Sequence, residues 1–252
     1  MKVCAFVYLS NHCHLLLVPE DAAQLASFMR YVNSKIAREV ARLHGWKEKI
    51  WGRRYTDIVV SDEPLAQESR LRYLLAQGCK EGLVASPRHW PGATCVKGLM
   101  TGDEVEGVWI DRTEQFKAYE RREPNPDTLF TNRCRLELSP LPCWADTPDH
   151  RWRARVRRWV REVEDSARDK RVLGREAILR QDPHSKPSSE ARRSPAPRFH
   201  TIEPTVRRAL EWSYHLARLA YRQAVEDLRQ GRKAHFPAGC FPPATAFVPL
   251  QI

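Results

Sequence analysis

Hydrophobic positions near the start of the chain form short runs that are typical of β-strands. Residues 4–9 and residues 14–18 are such runs, and Ser10-Asn11 between them is a turn dipeptide. This pattern predicts a hairpin of two short strands. Residues 51–60 have a similar pattern and predict a further strand.

Apolar residues at helical spacing follow the hairpin. They predict a helix over residues 21–43, with Gly45 placed to end it, and a second helix over residues 64–78. Ser61 and Asp62 are suitable caps for the second helix, and Pro64 fits its first turn. Strands and helices alternating on this scale predict a small α+β sandwich.

The second half of the chain has a mostly helical pattern. A basic amphipathic helix is predicted over residues 150–168 and a long helix over residues 204–229. Residues 181–200 contain four prolines and are predicted to be a linker. The Pro- and Phe-rich tail, residues 236–249, is expected to pack across a helix as extended chain.

Charge divides the chain of 252 residues into three parts. The formal net charge is +5 over residues 1–100, −5 over residues 101–150 and +11 over residues 151–252. Together with the proline distribution, this predicts a domain at residues 1–98, an acidic, Pro-rich connecting extension at residues 99–150, and a basic, mostly helical region at residues 151–252.

The whole chain has a net charge of +11, which indicates a polyanionic partner, either nucleic acid or an acidic membrane surface. No apolar run approaches the roughly 20 residues of a membrane-spanning helix. The N-terminal apolar run is too short for a signal peptide. We therefore expect a soluble cytoplasmic protein with no membrane partner.

The cysteines do not predict a disulfide framework. Seven are present, an odd number, and they are widely spaced with no Cys-x-x-Cys motif. A four-cysteine zinc site is equally unsupported by this spacing. The cysteines are interpreted as small hydrophobic residues in a reducing compartment.

Two histidines are the sharpest local feature. On a strand, alternate side chains share a face, so His12 and His14 point the same way while Cys13 points to the opposite face. Two imidazoles placed in this way can chelate one metal ion. Close histidine pairs also arise by chance, so this spacing does not identify a site by itself.

Tyr73 and Gln77 are the second feature. In the helix predicted over residues 64–78 they lie one turn apart, on a face separate from the buried leucines. The Tyr73 hydroxyl could act as a nucleophile, and the side-chain oxygen of Gln77 could complete a metal site with the two histidines. A half-buried structural tyrosine at a helix–sheet contact is the alternative interpretation.

Taken together, these residues resemble the single-tyrosine HUH nucleases, and more specifically the REP-associated tyrosine transposases. The resemblance covers about residues 5–95. Its motifs occur in the family order: Asn11-His12-Cys13-His14-Leu15-Leu16, Trp51-Gly52-Arg53-Arg54-Tyr55, Arg72-Tyr73-Leu74, Gly82-Leu83-Val84 and Trp90-Pro91.

The resemblance implies a ferredoxin-like HUH sandwich, an antiparallel sheet with helices, followed by a helical C-terminal extension. It also implies cleavage and rejoining of single-stranded or hairpin DNA through a 5′-phosphotyrosine link. Tyr73 would be the nucleophile, and His12, His14 and Gln77 would bind Mg²⁺ or Mn²⁺, hard Lewis acids suited to phosphate oxygen. Zn²⁺ with Cys4 or Cys13 is the rival metal site, which the strand geometry of Cys13 disfavours.

The chain departs from the family pattern at two points. Relatives usually have a strand and a helix before the histidine hairpin, whereas this chain starts almost at the hairpin. We expect either a start site upstream or a shortened copy, because a missing edge strand exposes sheet backbone. Gly78-Cys79 stands where many relatives have Asn-Pro, and Gln77 is compatible with the wider single-tyrosine family.

Several arginines are candidates for binding DNA phosphates. Residues 151–161 contain six arginines around an apolar stripe, and this segment could contact DNA or be an ordinary solvated helix face. The stripe consists of Trp152, Val156, Trp159 and Val163. The candidate DNA-binding residues are Arg53, Arg54, Arg70, Arg153 and Arg157.

Two other function classes remain open from the sequence. The chain could be a catalytically inactive DNA-binding remnant of a transposase, which would keep salt-sensitive affinity without forming a covalent adduct. It could also be a zinc-stabilised structural protein, which would retain stoichiometric zinc. Dimers are common in the HUH superfamily, so a homodimer is an additional expectation.

Overall fold

The computed structural model describes residues 1–185 and 197–243 and has an α+β architecture, which confirms the predicted class. The chain divides into two compact units. The first unit contains Met1, Val18–Ser69 and Asp182–Ile252, and the second contains Lys2–Leu17 and Arg70–Gln181. Each unit therefore combines stretches that are distant in sequence.

The elements follow one another in mixed order along the chain. The strands are β1 (Lys2–Tyr8), β2 (Cys13–Val18), β3 (Val59–Val60), β4 (Val105–Ile110), β5 (Thr131–Leu136) and β6 (Phe199–His200). The helices are α1 (Ala22–His44), α2 (Pro64–Leu75), α3 (Val96–Thr101), α4 (Arg112–Glu120), α5 (Asp149–Ala167), α6 (Arg175–Leu179) and α7 (Pro204–Arg229). Short 3₁₀ helices are Pro87–His89, Asp127–Phe130 and Pro142–Trp144.

The strands pair two by two. Strand β1 pairs with β2, which confirms the predicted hairpin, and β3 pairs in parallel with β6. Strands β4 and β5 form an antiparallel ladder from the pair Val105–Leu136 to the pair Ile110–Thr131. In the described residues the sheets are therefore small, and helices supply most of the regular structure.

Helix α1 of the first unit has the ends that its sequence predicts. The Asp21 carboxylate accepts a hydrogen bond from the backbone N–H of Gln24, and Gly45 ends the helix in the left-handed conformation with φ of 61°. Helix α7 begins at Pro204 and ends at Arg229, as predicted. Apolar periodicity therefore predicts both helices, and local caps also predict the ends of α1.

The prediction of a strand over residues 51–60 is wrong except for its last two residues. Only Val59 and Val60 form a strand. The indole N–H of Trp51 donates to the backbone oxygen of Asn33 in α1, at 2.8 Å. Trp51 therefore contacts a helix, and residues 51–58 form no strand.

The core of the second unit is built around α5. Trp152, Val156 and Trp159 of this helix are buried, and the ring of Trp144 stacks on Trp152 with centroids 5.6 Å apart. Helix α5 packs against α3, whose Leu99 is also buried. The amphipathic helix predicted over residues 150–168 is confirmed.

The connecting extension predicted over residues 99–150 is folded rather than loop-like. It contains β4, α4 and β5, and the predicted boundaries near residues 98 and 150 both lie inside the second unit. Most residues of β4 and β5 are exposed. Strand β5 is mostly polar, and Glu106 and Gly107 interrupt the apolar residues of β4, so hydrophobic alternation does not reveal this pair of strands.

The C-terminal tail is described as far as residue 243. The hydroxyl of Tyr221 in α7 donates to the backbone oxygen of Phe241 at 3.2 Å, and its ring contacts Phe236. The described part of the tail therefore packs on a helix as predicted, while residues 186–196 of the predicted linker and residues 244–249 of the tail lie outside the described residues. In the parts of the chain that are described, no helix has both the length and the apolar character to cross a membrane.

Candidate functional site

The β1–β2 hairpin brings the two histidines together. The backbone N–H of Leu9 donates to the carbonyl of His12 at 2.8 Å, which closes a turn around Ser10 and Asn11. His14 lies on β2, whereas His12 precedes the strand, contrary to the prediction that both are strand residues. Their ring centroids are nevertheless 5.0 Å apart, with ring planes 88° to each other.

The orientation of the His12 ring is fixed by its neighbour. Nδ1 of His12 lies 2.6 Å from Oδ1 of Asn11. Because an amide oxygen only accepts, Nδ1 carries the proton, and Nε2 keeps its lone pair. His12 is exposed, so this lone pair is accessible to a ligand.

His14 presents a nitrogen with an unmet hydrogen-bonding requirement. Its Nε2 is buried and has no hydrogen-bond partner in the described part of the chain. Burial lowers the pKa of His14 below 6.5, and the nearby His12 and Arg70 lower it further, whereas Glu81 and a hydrogen bond with the Gln77 side chain act in the opposite direction. The ring is therefore held neutral near pH 7, which is the form that binds a metal ion.

Tyr73 lies beside His14 in the last turn of α2. Leu71, Leu74 and Leu75 of this helix are buried, as predicted, and Tyr73 on another face is 38% exposed. The ring centroids of Tyr73 and His14 are 5.5 Å apart, with planes at 87°. The structure therefore brings the predicted nucleophile next to the predicted metal-binding histidine.

Gln77 lies beyond the helix that was expected to contain it. Helix α2 ends at Leu75, not near Gly78, and Gln77 follows in a turn. Its side-chain Nε2 donates to the backbone oxygen of Tyr73 at 3.1 Å, and the residue is buried with 3% exposure. The helix ends early because Gly78 takes a left-handed conformation, with φ of 80°.

Two cations flank the Tyr73 ring. The guanidinium carbon of Arg70 lies 5.5 Å from the ring centroid, and Nζ of Lys80 lies 5.1 Å from it. Arg70 is a predicted phosphate contact, whereas sequence reasoning missed Lys80. Lys80 is seven residues after Tyr73, a spacing that would share a helical face, but it lies beyond both the predicted and the observed end of the helix.

Arg53 and Arg54 belong to the first unit and are exposed in the segment that follows α1. Arg54 lies over the Tyr55 ring, 5.2 Å from its centroid. The Tyr55 side chain raises the pKa of Arg54. Both arginines are accessible to solvent, and their role as phosphate contacts stays a prediction.

Arg153 and Arg157 bind backbone oxygens of the second unit. Arg153 donates to the carbonyl of Gly98 at 3.1 Å, and Arg157 donates to the carbonyl of Met100 at 2.7 Å. Both carbonyls belong to α3, and that of Gly98 also accepts a hydrogen bond from the backbone N–H of Gly102, which caps the helix. The structure therefore gives both guanidinium groups a packing role, and their contact with DNA stays a prediction.

The side chains of His12, His14 and Gln77 are the donors that could hold a divalent metal ion. Among the described residues, no group of three or more His, Cys, Asp or Glu side chains could hold one. Two imidazoles and the side-chain oxygen of Gln77 are a different set, and the unpartnered buried Nε2 of His14 supports it. Nitrogen and amide oxygen ligands suit Mn²⁺ and Mg²⁺ when phosphate oxygens complete the coordination.

Comparison with known proteins yields no relative for this chain. No family model, curated protein or solved structure matches it.

Proposed function

We propose that the chain is a metal-dependent, transposase-like DNA endonuclease and strand transferase with a ferredoxin-like HUH domain. The single observation that carries this proposal is the arrangement of His12, His14 and Tyr73. The His14 ring lies 5.0 Å from the His12 ring and 5.5 Å from the Tyr73 ring. A histidine pair that can hold a metal ion beside an exposed tyrosine is an arrangement suited to metal-assisted cleavage of a phosphodiester by the tyrosine.

Tyr73 is the nucleophile in the proposed reaction. Its side-chain oxygen attacks the phosphorus of a DNA phosphodiester, and the bond from phosphorus to the 3′ oxygen breaks. The phenol loses its proton to solvent, and the leaving 3′ oxygen takes up a proton. The products are a 5′-phosphotyrosine link and a free 3′-hydroxyl, which can attack the link in reverse and rejoin the strands.

His12, His14 and Gln77 hold the metal ion in this proposal. A bound Mg²⁺ or Mn²⁺ supplies a Lewis acid that polarises a non-bridging phosphate oxygen. Asn11 keeps the His12 ring in the tautomer that has a free Nε2. Burial keeps His14 neutral near pH 7 and therefore ready to bind.

Single-stranded or hairpin DNA is the proposed substrate, and the cytoplasm is the proposed compartment. The net charge of +11 supports a polyanionic partner. Arg53, Arg54 and Arg70 are the proposed phosphate contacts. Arg153 and Arg157 rank below them because both guanidinium groups already bind backbone oxygens.

The test is the formation of a covalent protein–DNA adduct. The full chain is incubated with single-stranded DNA hairpins and Mn²⁺, and the products are separated under denaturing conditions. We expect an adduct with the wild-type protein and none with Tyr73→Phe, which lacks only the nucleophilic oxygen. Tyr119→Phe is the control, since Tyr119 is an exposed tyrosine on α4 outside the site.

Two outcomes would contradict the proposal. Salt-sensitive binding of the hairpins without an adduct would identify a non-catalytic DNA-binding protein. An adduct that persists in Tyr73→Phe would assign the nucleophile to another residue.

A further inference from the structure

Arg70 and Lys80 place two positive charges around one tyrosine ring. The distances from the Tyr73 ring centroid are 5.5 Å for the Arg70 guanidinium and 5.1 Å for the Lys80 ammonium. Neither residue forms an ion pair within the described parts of the chain. An anion beside the Tyr73 side chain would therefore be attracted by both positive charges.

Arg70 also has an unsatisfied donor. Its Nε is buried and has no hydrogen-bond partner among the described residues. Burial lowers the pKa of Arg70, but a guanidinium keeps its charge at any pH that a folded protein tolerates. Because a buried charged donor without an acceptor is costly, this position favours the arrival of an acceptor from outside.

The acidic residue that directly follows Lys80 in the sequence is held elsewhere. The Glu81 carboxylate accepts a hydrogen bond from the backbone N–H of Gly78 at 2.8 Å. Its charge acts on His14, where it raises the pKa against the effect of burial. The negative charge of Glu81 therefore acts on His14, while the positive charges of Arg70 and Lys80 stay without an ion pair among the described residues.

We propose that Arg70 and Lys80 form an anion site that binds a phosphate group beside the Tyr73 hydroxyl without a metal ion. Arg70 donates from its planar fork, and Lys80 supplies a flexible second charge. The identity of the phosphate as a DNA phosphodiester rests on the proposed function, but the anion site itself does not. In the DNA reaction, the two cations hold the phosphate attached to Tyr73 in place for attack by the 3′-hydroxyl.

The Nε–H group of Arg70 provides a direct readout. We would titrate the isotope-labelled full chain with inorganic phosphate in the presence of a chelator and follow this group by nuclear magnetic resonance. A matched titration with chloride at equal ionic strength separates specific binding from screening. The Arg70→Lys variant, which keeps the charge but lacks Nε, assigns the signal.

We expect a saturable shift of the Arg70 signal with phosphate and none with chloride. Lys80→Ala should weaken phosphate binding by about tenfold, the loss of one charge-assisted contact. Lys97→Ala is the control because Lys97 is an exposed lysine of the same unit that pairs loosely with Asp103 at 3.8 Å. It should leave phosphate binding unchanged.

The inference is overturned if phosphate produces no saturable shift, or if Lys80→Ala and Lys97→Ala bind phosphate equally well. Its failure is distinguishable from failure of the proposed function. Phosphate binding in chelator without an adduct on DNA would sustain the anion site and reject the nuclease. An adduct on DNA, with no phosphate binding in the presence of chelator, would reject the anion site and sustain the nuclease.

Discussion

At the scale of single residues, Asn11 controls how the site presents its first imidazole. Its side-chain oxygen is the hydrogen-bond partner of His12 Nδ1, at 2.6 Å. Ligand histidines commonly rely on such an outer contact, which fixes both the tautomer and the direction of the free nitrogen. The Asn-His order of residues 11 and 12 therefore has a physical reason.

Asn11→Ala should weaken binding of Mn²⁺ by about 10- to 100-fold, because the His12 ring can then rotate and change tautomer. Isothermal titration calorimetry with Mn²⁺ measures the effect. Ser10→Ala in the same exposed turn is the control and should bind as wild type does. Equal affinities for the two variants would show that Asn11 does not orient a ligand.

At the scale of elements, the end of α2 decides where Gln77 lies. Gly78 has a φ of 80°, and a Cβ added there would lie 3.1 Å from Cε3 of Trp90. The backbone N–H of Gly78 also donates to Glu81. The left-handed conformation and the crowding at this position together require glycine. The resulting turn lets the Gln77 side chain donate a hydrogen bond to the backbone oxygen of Tyr73.

Gly78→Ala should lower the free energy of unfolding by about 1–3 kcal/mol, because the new methyl group meets both backbone strain and the Trp90 ring. Urea denaturation measures this change. Gly107→Ala on β4 is the control, because that glycine is exposed and a Cβ there would meet nothing within 4 Å. Similar stability losses for the two variants would contradict the role given to Gly78.

The helices were more predictable than the strands at this scale. Helices α1, α5 and α7 follow from apolar periodicity within one segment, and Asp21 and Gly45 mark the ends of α1. A two-stranded ladder with mostly exposed residues leaves no such trace, so β4 and β5 were missed. Residues 51–58 show the opposite error, since a strand-like pattern forms no strand there and its Trp51 contacts α1.

At the scale of the whole molecule, burial sorts the cysteines into inert and reactive groups. All seven lie in the described residues, and none forms a disulfide there. Burial raises the pKa of the Cys4 thiol to about 11, and it raises the pKa values of Cys79 and Cys95 to about 12. Cys134 and Cys240 are exposed.

A thiol-specific reagent at mildly alkaline pH should therefore modify Cys134 and Cys240 rapidly in the folded protein. Cys4, Cys79 and Cys95 should stay unmodified, because a raised pKa leaves little thiolate and burial excludes the reagent. Peptide mapping by mass spectrometry identifies the modified positions. All seven thiols should react in denaturant, and rapid labelling of Cys95 in the native state would contradict this core.

The sequence by itself determined the histidine hairpin, the long amphipathic helices and the identity of the candidate nucleophile. These features depend on neighbouring residues: a turn dipeptide between two apolar runs, periodic burial, and caps at helix ends. The separation of the predicted site residues along the chain did not hide them, because His12, His14 and Tyr73 each lie in a recognisable local pattern.

Only the tertiary structure decided which charges meet at Tyr73 and which do not. It placed Lys80 beside the ring through a turn and used Arg153 and Arg157 to bind carbonyls of α3. A side chain's electrostatic partners depend on which surfaces come together on folding, and local sequence patterns do not specify that. An arginine on an amphipathic helix therefore has the same pattern in sequence whether its guanidinium faces solvent or a backbone oxygen.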